Sequence, residues 1–270
     1  MVQFQTFEEF KKEAERIIYE ASQVGVPLRL MGGAAIRIHC PKYDGLYSKL
    51  GRTPGHDLDF VSSRKYAKGV RELFKKLGYS PLLSTSFMLN PQSKYRQIYL
   101  DEKGQQAADV FLDEFRMNQV INFSNRLEAD ECTISLADLM LQKLQIVEIN
   151  EKDKKDMTIL LREHDVGDTN KETVNSKYIA KVLSDEWGFY YTAIKNLNET
   201  KGLASSYGKD GLLGEEDQSI VNSRIDLLIQ KIEDEPKSMR WKMRARIGTK
   251  MKYYESVEEV ARDHLADITS

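Results

Sequence analysis

Apolar positions along this chain recur with two different periods, and the change of period divides it. Phe10, Ala14, Ile17, Ile18 and Ala21 repeat at three- and four-residue steps, the signature of one helix face. Thr6-Phe7-Glu8-Glu9 just ahead has the form of a capping box, and Gly25 supplies a stop. Residues 27–31 then read as a short buried strand running into Gly32-Gly33, and 34–39 as a helix. Residues 41–56 hold two prolines, three glycines and several basic residues, which predicts a loop. A second strand is expected at 57–61, then an amphipathic helix at 66–77 stopped by Gly78. Further strands are expected at 87–89, 96–100, 108–115 and 119–123.

From Leu136 the helical period takes over. It covers about 136–149, 151–163, 175–198, 217–233 and 255–267, with a glycine-rich loop expected at 201–216. The pattern therefore predicts an α+β fold: a mixed sheet flanked by helices over 1–130, followed by a helical domain over 131–270.

Composition narrows the function classes. The 270 residues are 41% apolar, enough for a sizeable core, and 30% charged. A net charge of −2 gives no global attraction to nucleic acid, so any basic binding surface must be local. No apolar run approaches the roughly 18 residues of a membrane span, and the N-terminus lacks the layout of a secretory signal. Cys40 and Cys132 show neither metal spacing nor a disulfide framework. The expectation is a reduced, cytoplasmic protein with no membrane partner.

The chemistry concentrates in His56-Asp57-Leu58-Asp59-Phe60. On a strand, Asp57 and Asp59 share one face while Leu58 and Phe60 enter the core. Two adjacent carboxylates repel unless a cation lies between them, and hard oxygen donors suit Mg²⁺ with phosphate. A third acid is expected from a neighbouring strand: Asp109, in the middle of an apolar run, or Asp113 near its exit. Strand, Gly32-Gly33, then helix puts bare amides at a helix N-terminus, where phosphate oxygens are favoured. On a wheel of 136–149, Asp138, Gln142, Gln145 and Glu148 form a surface face. Lys143 falls nearly opposite, where it must snorkel out or meet an anion such as a triphosphate.

Between Lys237 and Tyr254 there is no acid. Lys237, Arg240, Lys242, Arg244, Arg246, Lys250 and Lys252 are interleaved with Trp241, Tyr253 and Tyr254. Such a segment can hold a nucleic-acid backbone and stack bases, or serve as a solvated helix face. Trp187, Phe189, Tyr190 and Tyr191 fit a helix-bundle core.

Taken together, Gly32-Gly33, Asp57-Leu58-Asp59 and Asp109 resemble the signature of the nucleotidyltransferase superfamily, whose palm is similar to that of DNA polymerase β. The branch that includes bacterial abortive-infection nucleotidyltransferase toxins looks most similar. Arg52, Lys143 and Lys152-Asp153-Lys154-Lys155-Asp156 look like further features of that branch. The resemblance spans about residues 28–160. It implies a palm with a C-terminal helical domain, and transfer of an NMP from an NTP such as ATP to an acceptor hydroxyl, releasing pyrophosphate. It implies Asp57, Asp59 and Asp109 as catalytic and metal-binding residues for Mg²⁺, with Mn²⁺ as the alternative. Gly32, Gly33, Arg52 and Lys143 are implied as phosphate ligands, and Asp156 as either a supporting or a structural residue. The acceptor is open: tRNA or another RNA, a small molecule, or a protein hydroxyl. A masking antitoxin partner and an inactive nucleotide- or RNA-binding regulatory module are the alternatives. The gap from Gly33 to Asp57 is longer than in compact members, so a loop is inserted there.

Overall fold

A computed structural model describes residues 6–53, 58–83, 91–101 and 107–257. Asp57, His56, the strand expected at 87–89 and most of the helix expected at 255–267 lie outside the described residues. The described chain is a mixture of helices and a small mixed sheet, an α+β arrangement. It forms two compact units. Gly32–Thr53 and Ser135–Glu255 make one; the described residues before Gly32 and those from Leu58 to Ile134 belong to the other.

The first unit is built on a five-stranded sheet. Its strands are β1 (Arg29–Leu30), β2 (Leu58–Ser62), β3 (Ser80–Pro81), β4 (Arg96–Leu100) and β5 (Ala107–Leu112), in the order β1-β2-β5-β4-β3. Only β2 and β5 run parallel; every other pairing is antiparallel. Helix α1 (Phe7–Gln23) starts at the expected capping box, with both Thr6–Glu9 bonds formed. It buries Phe10, Ala14, Ile17 and Ala21, the residues whose spacing predicted it. Helix α4 (Ala67–Lys76) buries Val70, Leu73 and Phe74, and the Phe74 ring stacks on Tyr99 with centroids 4.3 Å apart. That stack joins the helix to β4 through large aromatic area.

The strand expected over 108–115 is in fact two. β5 ends at Leu112, Asp113 adopts φ 64°, and the chain re-emerges as β6 (Glu114–Arg116), pairing with β7 (Val120–Asn122). Aspartate tolerates the left-handed region better than most residues, and here Asp113 also accepts the Arg64 amide.

The second unit contains α2 (Gly32–His39), α3 (Asp44–Lys49), α5 (Leu136–Leu144), α6 (Glu151–Glu163), α7 (Ser176–Leu183), α8 (Trp187–Lys209), α9 (Glu215–Asp234) and α10 (Met239–Ile247). It also holds a short parallel pair, β8 (Asp165–Gly167) with β9 (Thr173–Asn175). Four expectations change here. The stretch 41–56 is not all loop, because α3 lies within it. The glycine-rich 201–216 is helical as far as Lys209. A Cβ at Gly208 would come within 1.8 Å of the Gln218 side chain, so this glycine serves close helix approach rather than a turn. The helix expected over 175–198 is interrupted between Leu183 and Trp187, where the Ser184 carbonyl accepts the Ser238 amide. Finally, α5 stops at Leu144 rather than 149. The Asn196 side-chain amide donates to the Leu144 carbonyl at 3.1 Å and the Ile146 carbonyl at 2.8 Å, satisfying groups a longer helix would have used.

Helix α5 is buried on every side. Asp138, Gln142 and Gln145 are therefore not a surface face, as their spacing implied, but polar groups inside the unit. Ser135 caps the helix and donates to the Asp138 carboxylate at 2.7 Å, which makes that burial tolerable. No helix among the described residues is long and apolar enough to cross a membrane.

Candidate functional site

Two groups of acids with different surroundings emerge, one in each unit. The first lies on the sheet. The β2–β5 register sets Asp59 directly beside Asp109. Leu58 and Phe60 on one strand, and Ala108 and Val110 on the other, are fully buried, so alternation turns both acids to the opposite face. The Asp109 side chain is 8% exposed and ion-paired with Arg96, which sits on the adjacent β4. Arg96 pairs in register with Phe111 and its guanidinium lies 5.2 Å from that ring, so aromatic packing and charge both hold it. Asp59 is half-buried, and its backbone carbonyl accepts the Met31 amide at 2.8 Å. Asp113, the other candidate for the third acid, is beyond the end of β5 and engaged with Arg64, so the register brings Asp109 and not Asp113 beside Asp59.

The second group surrounds the glycine pair. Arg52 grips Asp156 through two parallel bonds, Nε to Oδ1 at 2.7 Å and Nη2 to Oδ2 at 3.0 Å. Lys143 Nζ lies 2.7 Å from Asp153 Oδ1 and 2.9 Å from Asp156 Oδ2. Asp153 and Asp156, three apart on α6, share a helix side and close a network of two cations and two carboxylates. All four residues are buried. Burial opposes ionisation of Asp156, but the Lys143 ammonium and the Arg52 guanidinium more than offset it and hold the carboxyl below the usual carboxylate range. Burial likewise acts to lower Lys143, and the two carboxylates outweigh it, holding the ammonium above the ordinary lysine value. Gly33 fits against this network because it has no side chain. A Cβ there would come within 2.5 Å of Arg52 Nη2 and 2.9 Å of Asp156 Oδ2. The Gly32 amide, at the start of α2 with φ 78°, donates to Gln142 Oε1 at 3.0 Å.

Of the residues expected to form one site, Asp59 and Asp109 are adjacent in the sheet unit. Gly32, Gly33, Arg52 and Lys143 cluster in the helical unit, and Asp57 lies outside the described residues. Lys143 neither snorkels nor faces open space; it meets carboxylates of its own chain. No family model, no curated protein and no solved structure matches the chain. The geometry alone carries the functional argument.

Sequence reasoning assigned no role to Arg96, named Asp153 only within a charged segment, and set Gln142 on a surface face. A cation at the head of a strand whose pattern continues through Ile98 carried no signal of its own; only the β4–β5 register reveals its reach to Asp109. The i, i+3 spacing of Asp153 and Asp156 was the available signal for the buried network.

The sheet acids fit a hydrated divalent cation in donor chemistry. Two carboxylates side by side on one sheet face offer the hard oxygens that Mg²⁺ takes while retaining most of its waters. Among the described residues no group of three His, Cys, Asp or Glu side chains converges. Asp57, two residues before Asp59 in the sequence, is the remaining candidate ligand. The helical-unit group fits no metal, since its carboxylates are already matched by Arg52 and Lys143.

Proposed function

We propose that the protein is a Mg²⁺-dependent nucleotidyltransferase whose sheet unit is a polymerase-β-like palm, with Asp57, Asp59 and Asp109 as its acids. The observation that carries this reading is the side-by-side register of Asp59 and Asp109 on parallel strands. Carboxylates in register on neighbouring strands bring hard oxygen donors close together, which is what a shared divalent cation requires. In the proposed reaction an acceptor hydroxyl oxygen bonds to the α-phosphorus of an NTP, the bond to the β-phosphate oxygen breaks, and pyrophosphate leaves. Divalent ions, when bound, would supply charge neutralisation for the phosphates and the leaving group. Asp57 and Asp59 would hold them, and Asp109 would complete the set and take the acceptor's proton. Arg96 would keep the Asp109 carboxylate oriented and would have to yield part of its contact for that role.

Phosphate contacts from Gly32, Arg52 and Lys143 would require exchange of their present bonds with Gln142, Asp156 and Asp153. The proposal therefore rests on the sheet acids. The same occupied contacts favour, as a second reading, a regulatory module of this fold that binds nucleotide without turnover. The test is incubation with each α-³²P-NTP, Mg²⁺ and a fractionated lysate containing tRNA, small molecules and proteins. Label should pass to one fraction with wild type and not with Asp59→Asn or Asp109→Asn of unchanged circular dichroism. Equal labelling by these variants refutes the assigned acids. Mg²⁺-dependent NTP binding without pyrophosphate release supports the regulatory module.

A further inference from the structure

The segment from Lys237 to Tyr254 combines two stripes that serve no purpose in the transfer reaction. Met239, Met243, Ile247 and Met251 recur every four residues, and they are 71%, 58%, 39% and 61% exposed. Lys242, Arg246 and Lys250 recur at the same spacing beside them and are also exposed. Residues four apart on a helix lie one above the other, so Met239, Met243 and Ile247 form an apolar line along α10 with Lys242 and Arg246 next to it. On its other side stands Arg240, 75% exposed and paired with Glu186. Beyond Ile247 the chain turns at Gly248, φ 60°, and leaves the helix. Arg244 donates to the Gly248 carbonyl at 2.7 Å and the Met251 carbonyl at 2.8 Å, which ties the chain beyond the helix back onto it. None of Lys242, Arg246 and Lys250 has a side-chain ion pair among the described residues.

The residues that would make this segment a nucleic-acid surface are spent inside the unit. Trp241 packs edge-on to Tyr190 with centroids 5.1 Å apart, and Lys237 caps α9 through the Glu233 and Glu235 carbonyls. Arg244 lies 5.0 Å from the Trp187 ring, and Tyr253 packs against Trp187 and Tyr191. What faces outward is methionine and isoleucine flanked by positive charge. Phosphate and bases would leave that apolar line uncovered. A protein helix would cover it, because methionine adapts to varied partner surfaces and flanking charges select the partner's sign.

We infer that the outer face of α10 docks an acidic amphipathic helix of a partner protein. The partner would present apolar residues at three- and four-residue steps, with Asp or Glu on the flanks to meet Lys242 and Arg246. This holds whether or not the chain transfers nucleotides.

The experiment titrates the full chain into three fluorescent probes. These are an 18-residue helical peptide with leucines at three- and four-residue steps and glutamates on the flanks, a 20-nucleotide single-stranded RNA, and vesicles of mixed phosphatidylcholine and phosphatidylglycerol. The same peptide with lysine in place of glutamate is the control. Saturable binding of the acidic peptide is expected, with none of the lysine peptide. Affinity should fall about ten-fold in Lys242→Glu/Arg246→Glu and about ten-fold in Met239→Ser/Met243→Ser. Circular dichroism and thermal melting check that both double variants remain folded, which exposed positions allow. Failure of the acidic peptide to bind, or binding indifferent to either pair, overturns the inference. RNA or vesicle binding that depends on the charges but not on the methionines, with no acidic-peptide binding, assigns the face to phosphate instead and also overturns it.

Discussion

Two pairs of aspartates, one in each unit, show how differently one fold can surround the same residue type. Asp153 and Asp156 lie on a helix, both buried, and Lys143 and Arg52 cancel their charge. Asp59 and Asp109 lie side by side on parallel strands, with Asp59 half-buried and Arg96 bound to Asp109. The helical pair is a closed arrangement in which each charge has an opposite neighbour at hydrogen-bonding distance. The sheet pair sets two carboxylates in register on neighbouring strands, with Asp59 half-buried and Asp109 buried against Arg96. The lesson is that local geometry sets what a pair of acids meets: helix spacing turned one pair onto two cations, and strand register set the other pair side by side.

Removing one member of each pair should separate them most clearly. Asp156→Ala leaves Arg52 buried without its carboxylate and should lower stability by about 3–5 kcal/mol in urea unfolding. Asp59→Asn should change it by no more than about 1 kcal/mol while abolishing the proposed nucleotidyl transfer. A reversal of these two effects would break the comparison. Replacing Arg52 and Asp156 together by leucine should recover most of the loss, because the Lys143–Asp153 pair remains balanced.

Gly33→Ala probes the fit of the network against α2. The new methyl group would press on Arg52 and Asp156, with an expected loss of roughly 1–3 kcal/mol. Gly25→Ala meets no atoms but keeps the strain of φ 67°, so it should lose only about 1 kcal/mol.

The pH dependence follows from the depressed Asp156 carboxyl and the elevated Lys143 ammonium. The Asp156 contribution is complete above the unfolded carboxylate value of about 3.9 and declines as pH falls through the lower native value. The Lys143 contribution is complete below about 10.4 and declines as pH rises through the higher native value. Urea midpoints measured across pH should therefore drop at both ends in wild type, and the acid drop should shrink in Asp156→Asn. An unchanged acid limb would show that Asp156 titrates alike in the folded and unfolded chain.

The smallest effect belongs to Gln142. Gln142→Leu removes the acceptor of the half-buried Gly32 amide and should lower stability by about 1 kcal/mol. Faster amide exchange at Gly32 is the more direct readout.

Local signals carried far in the sheet unit. The Thr6 capping box, the spacing of Phe10 to Ala21 and the alternation around Asp59 each describe contacts within a few residues, and each matches the element formed. The single strand expected over 108–115 and the loop expected over 201–216 do not form, because what those residues do depends on distant chain. A left-handed residue ends β5, and Gly208 makes room for Gln218 rather than for a turn. The polar positions of α5 misled for the same reason, since helix periodicity identifies faces but not what covers them.

The sequence by itself determined where most helices and strands begin, and that Leu58 and Phe60 enter the core with Asp59 between them, because these follow from backbone period and local capping. Only the tertiary structure decided that Asp109 stands beside Asp59, and that Lys143, Arg52, Asp153 and Asp156 neutralise one another. The residues concerned are up to 104 positions apart, as for Arg52 and Asp156. No local pattern records strand register or the approach of two helices; those arise when burial brings distant side chains within ångströms and charge must be balanced where water is excluded.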